Sequence, residues 1–145
     1  MLKLIFEFYL ILFVPLVYLL GIFIISRSLF IIHYPLSVIF GLMLIFIGLI
    51  LWIWSYLTLR SSLTVLPKAK KLITSGPYQH LSHPMYLAII LTFLGFSLAS
   101  GSIPGLLYTV SIIIPLNVLR AKKEEEKLFK KFGKKYEEYK KRLPL

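Results

Sequence analysis

The chain reads as an all-α membrane protein, with about four transmembrane or membrane-embedded helices followed by a C-terminal amphipathic helical tail. Three observations predict this. Apolar residues make up 58% of the 145 and the mean hydropathy is +0.82, well beyond an ordinary soluble fold. Residues 35–59 carry no charge and residues 4–25 carry only Glu7, so each run exceeds the roughly 20 residues needed to span hydrocarbon. The final segment turns strongly charged while keeping apolar residues at helical spacing. The length fits one domain, divided into a two-span N-terminal hairpin (1–59), a loop (60–83), a helical hairpin (84–119) and a basic tail (120–145).

The first apolar run is too long for the core of a secretion signal and has no small-residue cleavage pattern after it, so it is expected to stay in the membrane. Trp52, Trp54 and Tyr56 cluster near the end of the second span, where indole and phenol rings prefer the headgroup zone. His33, beside Tyr34 and Pro35, is read as an interfacial residue of the same kind. The runs Met85 to Ser100 and Ile103 to Leu119 are shorter and flank a strong turn signal, Ser100-Gly101-Ser102-Ile103-Pro104-Gly105, which predicts a tight helical hairpin. Lysine and arginine concentrate in the loop from Arg60 to Lys71 and in the tail from Arg120. The chain is therefore expected to be multi-pass, with its N-terminus, loop and tail on the cytoplasmic side.

In the tail, Leu128, Phe132, Tyr136, Tyr139 and Leu143 recur at spacings of four, four, three and four, the stripe of an amphipathic helix. Continued backward, the stripe passes through Glu124 and then Arg120, each four residues earlier. Both side chains thus belong to the packed face, and a carboxylate there needs a cation or hydrogen-bond donors to satisfy it. Gly133 marks a break between two short helices, since glycine in a helix interior costs near 1 kcal/mol relative to alanine. Seventeen basic against six acidic residues give a formal charge of +11, which holds the tail against anionic lipid at about 1 kcal/mol per basic residue near the surface. Membrane lipids are the expected surroundings. Nucleic acid is not, because the aromatics serve the apolar stripe and arginines are few.

The chain contains neither cysteine nor aspartate. Disulfides, thiol nucleophiles, Cys-based zinc and iron–sulfur sites are excluded, and no metal is expected. The chemistry-bearing residues gather instead in Gly76-Pro77-Tyr78-Gln79-His80-Leu81-Ser82-His83-Pro84-Met85-Tyr86. Pro84 keeps His83 out of the α region and suits the first helical position, so His83 is expected to be the N-cap of the third apolar helix. Gly76-Pro77 forms a turn that returns Tyr78 toward the same face. The working expectation is one pocket shared by this loop and the cluster Arg120, Glu124 and Glu125.

Thr74-Ser75-Gly76-Pro77-Tyr78, His83-Pro84-Met85-Tyr86, and Glu124-Glu125 followed by Leu128, Phe132-Gly133, Tyr136, Tyr139 and Arg142-Leu143-Pro144 together resemble the isoprenylcysteine carboxyl methyltransferase family and its phospholipid methyltransferase relatives. The resemblance covers about half of the chain, from Lys70 to the end. It implies a small integral membrane enzyme that binds S-adenosylmethionine between the loop and the C-terminal segment. Lys70, Leu72, Ile73, Tyr78, His83, Pro84, Met85, Tyr86 and Glu124 fall at positions matching the family's cofactor contacts, Glu125 completes the glutamate pair, and Arg120 falls where the family places a substrate-serving arginine. Ser82 stands where the family usually has arginine, a bulky residue is more usual near His80, and Lys70 stands where eukaryotic members have histidine.

The resemblance implies methyl transfer to a lipidic or prenylated acceptor, the carboxylate of a prenylcysteine-like substrate first. The alternatives are N-methylation of a phospholipid amine, a sterol-type NADPH-dependent reductase with a similar Tyr and His-Pro ending, and a non-enzymatic basic membrane protein. No glycine-rich dinucleotide fingerprint occurs, which argues against a soluble cofactor domain.

Overall fold

A computed structural model describes residues 2–27, 34–59 and 72–143, with side chains from residue 12 onward. Lys70 and the rest of the basic loop 60–71, His33, Pro144 and the Glu7 side chain lie outside the described residues. Every regular element among those described is helical: α1 (Leu2–Arg27), α2 (Pro35–Leu59), a 3-10 turn (Gly76–Gln79), α3 (Pro84–Ala99), α4 (Ile103–Tyr108), a π turn (Thr109–Ile113), α5 (Ile114–Phe132) and α6 (Lys134–Arg142). The expected all-α class holds. By length and composition, α2 and the continuous helix Ile103–Phe132 can cross a bilayer. At 16 residues, α3 measures about 24 Å, short of the roughly 30 Å hydrocarbon core.

The packing centre is the α2–α3 pair. The buried residues of α2 are Gly41, Gly48 and Ser55, seven apart, and they form one small-residue seam. A Cβ on Gly41 would stand 2.5 Å from the Ala99 backbone nitrogen, and one on Gly48 would stand 2.5 Å from Thr92 Oγ1. On the facing helix, a Cβ on Gly95 would stand 2.6 Å from the Gly41 carbonyl. The backbones touch, as small residues allow where helices associate without a hydrophobic driving force. Meanwhile Leu42, Phe46, Ile50 and Trp54 stay exposed on the outer face, the pattern of a surface meant for lipid rather than water.

From Ile103 to Phe132 the chain forms one helix interrupted in register but not in direction. Pro115 supplies no N–H and its ring crowds the carbonyl four residues earlier, so the helix widens to a π turn just before it. The helix then runs through Arg120 and the glutamates to Gly133, whose φ of +49° ends α5 and starts α6. This is the break expected from the tail sequence. The stripe there is on the inner face: Tyr136 is buried and Leu128, Phe132, Tyr139 and Leu143 are half-buried, while Lys130, Lys134 and Lys141 are exposed.

Candidate active site

Gly76 begins the loop at φ +60°, a left-handed conformation that L side chains rarely adopt, and a Cβ there would stand 2.6 Å from Thr58 Oγ1. Glycine is thus required twice over, and the 3-10 turn seats directly on the end of α2. Pro77 is buried behind it. Six residues later His83 occupies the N-cap position of α3 with φ −136° and ψ 61°, outside the α region as the following proline demands. Its ring does not cap the helix. It reaches across to α5 instead.

There the two clusters meet. His83 Nε2 lies 3.2 Å from Glu125 Oε1, and Nδ1 lies 3.8 Å from Glu124 Oε2. An ionised carboxylate can only accept, so Nε2–H donates to Glu125. Glu125 also accepts from Lys140 Nζ at 2.6 Å, bringing α6 into the same group. Tyr86, one turn into α3, stacks tilted against His83 with ring centroids 5.7 Å apart and lies beside the Glu124 carboxylate. The Arg120 guanidinium carbon sits 5.2 Å from the centroid of the Tyr86 ring, within cation–π range. Spacings of four along α5 put Arg120 and Glu124 on one face, as the tail periodicity predicts.

The loop is fastened from the other side by Tyr139, whose hydroxyl donates to the Tyr78 carbonyl at 2.6 Å. Burial raises the pKa of the Tyr78 phenol, with Glu124 and then Tyr86 and Tyr139 adding to it. Burial likewise raises Tyr136, with Glu125 next in weight, and raises Tyr139. Phenols beside carboxylates are thereby kept protonated and act as donors. A cavity of about 350 Å³ opens beside this contact, lined by Leu72, Thr74 and Gln79 of the loop and by Lys135, Tyr139 and Arg142 of α6, among others. Its volume is within the range of small-molecule sites.

Of the residues the sequence singles out, Tyr78, His83, Tyr86, Arg120, Glu124 and Glu125 converge, and Leu72 lines the neighbouring cavity. Pro84 is buried in the first turn of α3, whereas Ile73 and Met85 are half-buried and bring no polar atom to the cluster. Sequence reasoning missed Lys140, Tyr18 and Asn117. Asn117 is fully buried, accepts from the Tyr18 hydroxyl at 2.9 Å, and lies three residues before Arg120 on the same helical face. A lone amide in an apolar run was the available signal. Tyr18 offered none.

Two carboxylates that accept, flanked by protonated phenols and an imidazole that can donate, form a set suited to a ligand that carries both a cationic amine and hydroxyls. No curated protein and no solved structure matches this chain. A family profile described as phospholipid methyltransferase matches residues 36–135, which takes in α2, the loop, the His-Pro corner and the glutamate pair. The sterol-reductase and non-enzymatic readings are left without support, and the chain belongs to the phospholipid methyltransferase family of membrane methyltransferases acting on lipid.

Proposed function

We propose that the protein transfers a methyl group from S-adenosylmethionine to a lipidic acceptor, and that the acceptor is the carboxylate of a prenylcysteine-like substrate. The observation that carries this is the meeting of His83 with Glu124 and Glu125 at 3.8 and 3.2 Å, with Tyr86 and Arg120 alongside. When bound, the cofactor would supply an electrophilic methyl on a sulfonium and would leave as the neutral thioether once that methyl is on the acceptor oxygen. The residues have to hold and align. Glu124 and Glu125 would accept from the cofactor's amine and hydroxyls, Tyr78 and Tyr86 would wall it, and the cavity between the loop and α6 would have room for part of it. Leu72, Ile73, Met85 and Pro84 would complete the enclosure in this reading.

A carboxylate is already nucleophilic at neutral pH and needs a guide, not a base. Arg120 offers the planar fork that matches it. Alignment in a site closed to water then supplies most of the barrier reduction. The acceptor enters sideways from the bilayer, with the loop and tail on the cytoplasmic side.

N-methylation of a phospholipid amine is the second reading, favoured by the description of the matched family. An amine must lose a proton, and His83, oriented by its bond to Glu125, is the base within reach. Incubating protein in detergent or nanodiscs with labelled methyl donor and a panel of prenylcysteines and phosphatidylethanolamines separates the two. Label on the prenylcysteine as a base-labile ester is expected; label confined to an amine headgroup overturns the carboxylate reading. Glu124→Ala and Tyr86→Ala should each weaken cofactor binding about 10-fold or more, the scale of a hydrogen bond to a charged group. Unchanged affinity in both would displace the site.

A further inference from the structure

A three-link hydrogen-bond chain joins α1 to the substrate side of the site. Asn117 Nδ2 donates to the Ile113 carbonyl at 2.8 Å, which fixes the amide's orientation and leaves Oδ1 facing α1. The Tyr18 hydroxyl must therefore donate, and does so at 2.9 Å. With its proton committed, the phenolic oxygen turns its lone pairs to Arg120, whose Nη1 donates to it at 3.0 Å. Each link dictates the polarity of the next.

The position of Tyr18 is itself over-determined. Its ring packs tilted on Phe93 with centroids 5.7 Å apart, and the adjacent Val17 carbonyl accepts from the Tyr108 hydroxyl at 3.0 Å. One turn on, Gly21 lets α1 close in: a Cβ there would stand 2.8 Å from the Phe93 ring. The guanidinium is thus held on two sides, by the hydrogen bond it donates to Tyr18 of α1 and by the Tyr86 ring of α3. A fully buried amide and a half-buried phenol within apolar helices are expensive, and generic interhelical adhesion is a weak reason to keep a chain of them ending on an arginine.

We infer that Tyr18, with Asn117 behind it, is a positioning residue that sets the orientation of the Arg120 fork toward a lipid-borne carboxylate. The inference rests on the carboxylate-acceptor reading above. Tyr18 lies outside the matched stretch 36–135, so this support comes from a helix the family match does not cover. The cofactor-facing groups His83, Glu124 and Glu125 take no part in the chain, which separates its effect from cofactor binding.

The test is Tyr18→Phe, which keeps the ring on Phe93 and deletes both hydrogen bonds, assayed with a prenylcysteine acceptor. Expected are a fall in kcat on the order of 10- to 100-fold, the scale on which small misplacement acts, and a cofactor Kd unchanged by calorimetry. In an Arg120→Lys background the same Tyr18→Phe change should cost nothing further, because the group it orients is gone. Asn117→Ala should reproduce the loss in weaker form by freeing the Tyr18 hydroxyl to rotate. Wild-type kcat in Tyr18→Phe, additivity with Arg120→Lys, or a parallel loss of cofactor affinity overturns the positioning role alone. A wild-type protein that methylates no lipid carboxylate overturns the acceptor reading and this inference with it.

Discussion

Glu125 accepts at once from His83 on α3 and from Lys140 on α6, at 3.2 and 2.6 Å, so a single carboxylate ties three helices at the mouth of the site. Lys140 is half exposed, and an ion pair of that kind contributes at most about 1 kcal/mol. The bond to His83 is the better shielded of the two, with the imidazole only 16% exposed. Lys140→Ala should therefore leave stability nearly unchanged, whereas Glu125→Ala should also release His83 and lower turnover, a contrast that melting curves and methyl-transfer rates will read together. The buried phenols give a pH test. Tyr78, Tyr136 and Tyr139 hold their protons above the ordinary phenol range, so above about pH 10 the unfolded chain sheds protons that the native state keeps. Stability then falls as pH rises. Melting temperature in detergent should drop between about pH 10 and the raised native values, and Tyr78→Phe should flatten the slope.

Among the elements, α2 and α3 are joined by absence of side chain. Placing a methyl group on Gly41 or Gly95 drives it into backbone of the facing helix at 2.5 to 2.6 Å, and backbone cannot step aside as a flexible side chain would. Gly41→Val or Gly95→Val should destabilise by about 1–3 kcal/mol through overpacking, read by denaturant-induced unfolding in mixed micelles. Gly133 is a different case. Nothing lies within 4 Å of an added Cβ, yet its φ is +49° with ψ −122°, so Gly133→Ala costs only backbone strain, about 1–3 kcal/mol. That cost falls on the α5–α6 junction. Hydrogen exchange should show faster opening of α6 with α2 and α3 untouched, and an equally protected α6 would contradict the strain assigned here.

Across the whole molecule, α6 folds back so that its apolar stripe covers the loop residues 72–79 while Lys134 and Lys141 are exposed. Ending the chain at Gly133 removes the Tyr139 bond to Tyr78, the Lys140 bond to Glu125 and one wall of the 350 Å³ cavity. Cofactor binding should fall by well over tenfold while the α2–α3 pair keeps its helicity. The sequence by itself determined what periodicity and composition encode: the apolar runs, the His83 N-cap, the Gly133 break, and the alignment of Arg120 and Glu124 on one face, because residues four apart on a helix are neighbours before any packing occurs. The spacing of seven in Gly41, Gly48 and Ser55 was equally legible in principle, as a seam for close helix approach. Only tertiary structure could decide which carboxylate His83 meets, that α1 sends Tyr18 to Arg120 across 102 residues, and that Lys140 closes on Glu125. Contacts between elements depend on how far each helix slides and rotates against its neighbours, and local sequence does not set that.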